Sequence, residues 1–219
     1  MDISDDQLAA DLGGCERAHA RLLTDLEELA DDDIRQASLL PGWTVGHVLN
    51  HLRRNAEGFT VMVRAASRGE VGRQYPSAEA RDEGIERGAD ASAEELVGWL
   101  RRSIEELVDT WSTLTSEQWA NGRGVTLRGE APVRELPWRR WREVEVHHAD
   151  LGLGYRSDDW PDDYVRRELP AFERVWKSRR PMGLTDLPDA VLALSPQRRL
   201  AWMFGRLEVD GAPAADVYG

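Results

Sequence analysis

Leu8, Leu12, Cys15, Leu22, Leu26 and Leu29 recur at three- and four-residue intervals and mark an amphipathic helix, with Ser4 or Asp5 placed to cap its start. Asp31-Asp32-Asp33 and then Leu40-Pro41-Gly42-Trp43 break that pattern. Thr44 suits the N-cap of a second helix running to about Ser67. Residues 68–91 are polar and Gly-rich, long for a connection in a compact domain, and read as a crossover or a functional loop. Ser92-Ala93-Glu94-Glu95 fits a capping box and opens a third helix through about Leu114. Asn121 to Pro137 mixes Gly, Pro and β-formers, as a loop holding a short strand pair would. Pro137 suits the first turn of a fourth helix that Gly152 and Gly154 end. Residues 158–181 predict a helix interrupted by Pro170, and Ser195-Pro196 opens a last one through about Leu207. Neither repeats nor low-complexity tracts occur. The expectation is an all-α chain, with a four-helix bundle over residues 1–155, a long crossover inside it, and a short, mainly helical extension over 156–219.

Composition narrows the partners. A net charge of −12 argues against nucleic acid, which needs a basic face. No apolar run approaches the roughly 18 residues of a membrane span, and Met1-Asp2-Ile3-Ser4-Asp5-Asp6 is not the basic start of a signal peptide, so a cytoplasmic protein is expected. Cys15 is the only cysteine, which leaves no disulfide framework and no cysteine metal cluster. The nine tryptophans are many for this length and are expected to pack rather than to stack on ligands. Lys177 is the one lysine among 28 basic residues, a bias read as a GC-rich coding background.

The stretch Trp141 to Gly152 concentrates the candidate chemistry: two glutamates, two histidines and an aspartate among apolar residues. On a helix with Glu143 at 0°, His147 falls at about 40° and Asp150 at about −20°, inside the apolar arc. Glu145, at about 200°, falls outside the arc and is expected to face water, while His148 sits at its flank. A carboxylate facing a core is costly unless it is paired, neutralised or bound to a metal, so Glu143 requires a partner. In the second helix, with His51 at 0°, the apolar residues span roughly 20° to 160°. His51 therefore lies at the core edge, Asn55 lies inside the arc, and His47 lies on the wet side near the helix start. His51, Glu143 and His147 together make a His2Glu set of the kind zinc accepts, with a fourth position left for water or substrate. Asp150 opposes the dipole of its helix end and so requires a specific partner, for which the other ring nitrogen of His147 is suited. Periodicity alone leaves two further readings open. One is an ordinary core histidine beside a surface Glu/His pair; the other is a His47/His51 metal pair.

These residues carry a resemblance. The segments Leu40 to Ala56, Tyr75 to Ala89 and Trp141 to Gly152, with the Gly205-Arg206 pair after an apolar helix, resemble the mycothiol-dependent maleylpyruvate isomerase family, a branch of the DinB-like metal-binding four-helix bundles. The likeness spans most of residues 3–155. It implies zinc ligands at His51, Glu143 and His147, and mycothiol, a low-molecular-weight thiol, as co-substrate at the open zinc position. It also implies the chemistry. A thiolate adds to the double bond of a cis-enone acid, the bond rotates while single, and the thiolate leaves to give the trans isomer. Arg206 matches the family arginine near the C-terminus and is the candidate for neutralising a substrate carboxylate. Its other reading is a cation favoured by a helix C-terminus. Tyr75 and Arg81 in the crossover are candidates for substrate or thiol contacts, and Asn55 for orienting a ligand. The family isomerase carries a C-terminal α/β domain, against about 60 residues here after Tyr155, so this extension is expected to be trimmed, which leaves the identity of the acceptor open. The resulting expectation is a zinc enzyme that uses mycothiol for isomerisation or S-transfer on a small electrophile, working as a monomer or weak dimer. A zinc hydrolase and a non-catalytic DinB-like module are the competing classes.

Overall fold

The computed structural model describes residues 3–179, 186–215 and 217, and its backbone forms two compact units, 1–153 and 154–219. The first unit is built on four long helices: α1 (Asp5–Asp25), α3 (Val45–Ala66), α5 (Ala93–Ser112) and α7 (Leu136–Asp150). Short helices α2 (Asp31–Ile34), α4 (Ala78–Gly88) and α6 (Ser116–Asn121) fill the connections. α3 packs on α5 and α7, and α1 packs on α7 and α5, which closes the bundle. The helix starts follow from local chemistry. Ser4, Thr44 and Ser92 each accept a hydrogen bond from the third backbone N–H of the turn that follows. His47 and Glu95 answer back to the caps of α3 and α5.

Several expected boundaries move. α1 stops at Asp25, so Leu26 and Leu29 lie beyond it in a turn, although Leu26 is still buried. The crossover 68–91 is not a loop. Ser77 caps α4 within it, and Gly72–Arg73 forms a strand, β1. A buried Ile85 and contact with α3 hold α4 despite its polar sequence. The expected strand pair is β2 (Arg123–Thr126) and β3 (Gly129–Pro132), turned at Gly129 with a φ of 114°. β1 joins β2 in parallel, Gly72 opposite Gly124, giving a three-stranded sheet in the order β1-β2-β3. Gln74 N–H continues that pairing onto the Val125 carbonyl at 2.8 Å, and so fixes the path of the chain into Tyr75.

The second unit holds α8 (Asp162–Lys177), α9 (Asp189–Leu192) and α10 (Pro196–Met203). Pro170 does not interrupt α8. It forfeits one backbone hydrogen bond, and the buried stripe Tyr164, Val165, Leu169, Phe172 and Trp176 holds the helix through it. The end of the expected 158–181 helix falls partly outside the described residues. α10 ends at Met203, short of Leu207, in a Schellman turn. Gly205 takes a φ of 70° there, and Arg206 N–H reaches the Ala201 carbonyl at 2.8 Å. Trp160, Trp176, Trp202 and Phe204 form this unit's aromatic core, as expected of packing tryptophans. Across the described residues the chain is mainly helical, and no helix is long and apolar enough to cross a membrane.

Candidate metal centre

α3 and α7 bring His51, Glu143 and His147 together, with one donor atom from each lying within 4.8 Å of the others. His51 Nε2 is 3.0 Å from Glu143 Oε2, and His147 Nε2 is 3.7 Å from the same oxygen. The imidazoles of His51 and His147 meet edge to face at 4.6 Å. The four-residue spacing of Glu143 and His147 places both on the α7 side that faces α3. Glu143 was expected in the middle of the buried face, yet its side chain keeps 20% exposure, more than either histidine, and marks the open side of the cluster.

Around this cluster, each partner constrains a proton. Asp150 Oδ2 lies 2.9 Å from His147 Nδ1, so Nδ1–H donates to the carboxylate and Nε2 is left free as a lone-pair donor. On His51, Arg81 Nη2 stands 3.4 Å from Nδ1 and can only donate to it. Nε2 of His51 then carries the proton and donates to Glu143. Burial, first, lowers the His51 pKa to about 4, with the His147 and Arg81 charges acting the same way. Burial pushes Glu143 upward, but the hydrogen bond from His51 and the charges of His51, His147 and Arg140 outweigh it and hold the carboxyl at about 2. Near neutrality His51 is therefore a neutral imidazole and Glu143 a carboxylate, the protonation states a divalent metal requires of them. Trp43 covers one side, 5.6 Å from the His51 ring, with Arg81 over its face at 5.9 Å. This tryptophan, unlike those of the core, lines the site.

The remaining expected residues separate clearly. Tyr75 is buried, and its hydroxyl feels Glu143 and Arg81. Asn55 is buried one turn below His51, where its Oδ1 accepts from Arg140 at 2.9 Å. His47 is excluded from the cluster. Its Nδ1 is 2.8 Å from the Thr44 hydroxyl and its Nε2 3.1 Å from Glu86, so the His47/His51 pair is not formed. Arg206 lies in the second unit, where its Nη1 donates to the Phe204 carbonyl at 2.9 Å beside the end of α10.

Glu145 corrects the phasing. It is fully buried, accepting from Trp141 Nε1 at 2.9 Å and from Arg21. The reason is that α7 is covered on two sides, by α3 and by α1, so a one-faced arc misplaces it. His148 is buried too, with Nε2 3.0 Å from Asp25 on α1. Sequence reasoning also missed Arg140, which is completely buried one turn before Glu143. The same helical arithmetic places it at about 60°, inside the arc, but a charge without a visible partner drew no notice.

The sequence model of the mycothiol maleylpyruvate isomerase N-terminal domain matches residues 15–152. The crystal structure of the mycothiol-dependent maleylpyruvate isomerase is similar at a TM-score of 0.81 and 24% identity, covering 94% of this chain and 91% of that chain. A mutant of that isomerase, with a histidine replaced by alanine, aligns equally well over 94% of this chain and 96% of its own. At that identity the likeness speaks for the fold, and it extends beyond the first unit. No curated protein matches.

Proposed function

Because the chain belongs to the family of the mycothiol maleylpyruvate isomerase N-terminal domain, we propose that it is a zinc enzyme using mycothiol as a thiolate nucleophile, to isomerise a small electrophile or to become joined to it through sulfur. The observation that carries this reading is the convergence of His51, Glu143 and His147, with the second nitrogen of His147 already committed to Asp150. Three protein donors suit a zinc site with an open position, and the metal, when bound, would favour the thiolate form of a thiol at neutral pH.

The protein groups divide the remaining work. Asp150 holds the His147 ring and its tautomer. His51, Glu143 and His147 would hold the zinc, which would supply a Lewis acid for the thiol. Arg81, 3.4 Å from His51 Nδ1 and paired with Asp82, would stand beside that position as a donor for a substrate carboxylate or for the thiol. Tyr75, the other candidate contact, stays a neutral donor, because burial first holds its hydroxyl well above the ordinary tyrosine value. Arg206 is the further candidate for a substrate carboxylate, although its observed contacts already give it a helix-capping role. Hydrolysis would require a carboxylate base beside the metal, yet Asp150 is taken by His147 and Glu143 is itself a donor.

The deciding experiment pairs metal analysis with a thiol screen. Purified protein should hold about one zinc per chain and convert maleylpyruvate or a generic thiol acceptor with mycothiol but not with other bacterial thiols. Turnover that persists without any thiol would overturn the assignment in favour of hydrolysis. Zinc binding without turnover of any electrophile would leave only a metal-binding module.

A further inference from the structure

One buried guanidinium ties together the helices that carry the metal cluster. Arg140 lies on α7 one turn before Glu143 and is 0% exposed. Its Nη1 donates to the Leu52 carbonyl at 2.8 Å and to Asn55 Oδ1 at 2.9 Å, both on α3, and Leu52 is the residue that follows His51. In another direction, Nε of Arg140 donates to His19 Nε2 on α1 at 3.0 Å. A single side chain therefore joins three of the four long helices, and it grips α3 at the turn that begins with His51.

Three features separate this arrangement from ordinary packing. All three acceptors are neutral, and Nη2 is buried without a partner among the described residues, so no carboxylate touches the charge. A methionine or leucine would fill the same space without burying a charge, and packing alone does not call for arginine here. The fork is also directional. Nε reaches α1 while Nη1 reaches α3, and the planar guanidinium fixes the angle between the two. Finally, among the described residues the other hydrogen bond joining α3 to α7 is that of His51 Nε2 with Glu143. A cation in the cluster would replace that contact, because both residues are among its ligands. The bonds of Arg140 are then the polar link that keeps the two helices in register.

We infer that Arg140 is a positioning residue of the metal centre: by holding the Leu52–Asn55 turn of α3 to α7 and α1, it registers His51 against Glu143 and His147. A metal site needs its supporting groups held to about 0.5 Å, which a fork fixed on three helices supplies and a packed aliphatic chain does not. Asn55 belongs to the same support, since its Oδ1 is engaged by Arg140. The inference rests on the proposed function for the metal, whereas the registration of His51 on Glu143 is a property of the metal-free fold.

Zinc titration of the full chain against a competing chelator tests this role, together with the visible spectrum of the cobalt(II)-loaded protein. Arg140→Lys keeps the charge but delivers every proton from one flexible tip, so it cannot hold α1 and α3 at once. It should lower zinc affinity by about 10- to 100-fold and shift the cobalt bands. Asn55→Ala should lower zinc affinity by about tenfold, and Asn55→Asp, which keeps the acceptor, should restore it. Glu145→Ala, on the α1 side of α7, is the control for lost stability alone and should leave both metal readouts unchanged. If Arg140→Lys does not fold, the two Asn55 variants carry the test. Wild-type zinc affinity with an unchanged cobalt spectrum in Asn55→Ala, or in folded Arg140→Lys, would overturn the inference. Equal losses in Asn55→Ala and Asn55→Asp would do the same, because the acceptor would not be what matters. In metal-free protein, the proton resonance of the His51 imidazole N–H should be protected from solvent exchange in the wild type and lost in Asn55→Ala. Its retention in Asn55→Ala would also overturn the role. A wild type that takes up no metal yet shows this difference would sink the metal reading and leave the positioning role standing.

Discussion

Helix α7 buries ionisable groups on two sides, and the two sides use the same residue types differently. Toward α3, Glu143 and His147 converge with His51 on one point, and their donor atoms crowd together with capacity to spare. Toward α1, Glu145 and His148 each meet a separate partner. Glu145 is closed by Trp141 and Arg21, and His148 by Asp25. The histidines are buried on both sides and Glu145 is more deeply buried than Glu143, so burial alone does not identify a site. What separates them is satisfaction. On the α1 side each group has found its own partner, whereas on the α3 side several groups compete for one position that a cation would fill.

The sharpest way to break this contrast is to exchange the glutamates. Glu143→Gln, like His51→Ala or His147→Ala, should abolish stoichiometric zinc, lowering affinity by about a hundredfold or more on metal titration. Asp150→Asn should be milder, a loss of about 10- to 100-fold in zinc affinity, because it disturbs the His147 tautomer rather than a donor. Glu145→Ala should leave zinc content unchanged and lower stability by about 2 kcal/mol in urea unfolding, the cost of leaving the Trp141 N–H without its acceptor. Arg21, at 35% exposure, can turn to water and limits the loss. If Glu145→Ala removed zinc and Glu143→Gln did not, the two sides would be interchanged.

How much of this contrast was legible beforehand depends on how local its causes are. Glu143, His147 and Asp150 lie within two turns of one helix, and His51 follows a well-marked N-cap, so spacing alone brings these residues to facing surfaces. Ser4, Thr44 and Ser92 were legible as caps for the same reason. Glu145 was not, because the residue that buries it is Arg21, 124 positions away. The α4 helix hid in a Gly-rich stretch because its support is tertiary contact with α3 rather than its own amphipathicity. Pro170 misled because a local breaker was outweighed by the aromatic stripe around it. Arg140 escaped because its significance lies in what it lacks, which only a full count of donors reveals.

Acid separates the two sides more gently. In metal-free protein, His51 titrates near 4 in the folded state against an ordinary 6.5. Between those values the unfolded chain binds a proton that the folded chain refuses, so the His51 contribution is complete above pH 6.5 and drains as pH falls toward 4. Glu143, at about 2 against 4.5, acts in the same direction over the lower window, and His19, held low first by burial and then by Arg140, reinforces the upper one. Urea midpoints should therefore drop from pH 6.5 to 4, by up to about 1.4 kcal/mol per pH unit for each such group. The slope should be shallower in His51→Gln. A midpoint that rose on acidification would mean that His51 is protonated in the fold, and the donor reading would fail.

The smallest effect probes the α1 side at its weakest point. His148 is buried, but its partner Asp25 is 52% exposed at the last position of α1. A partner that water already reaches adds little, because solvent screens the pair and replaces the lost contact. Asp25→Asn should thus cost no more than about 1 kcal/mol in urea unfolding, with zinc content unaltered. The asparagine oxygen can still accept from His148 if the ring is neutral, so the substitution distinguishes a hydrogen bond from an ion pair. A loss of several kcal/mol would show that His148 is held protonated inside the fold. The α1 side would then hold an unspent charge of its own, and satisfaction would no longer separate the two sides of α7.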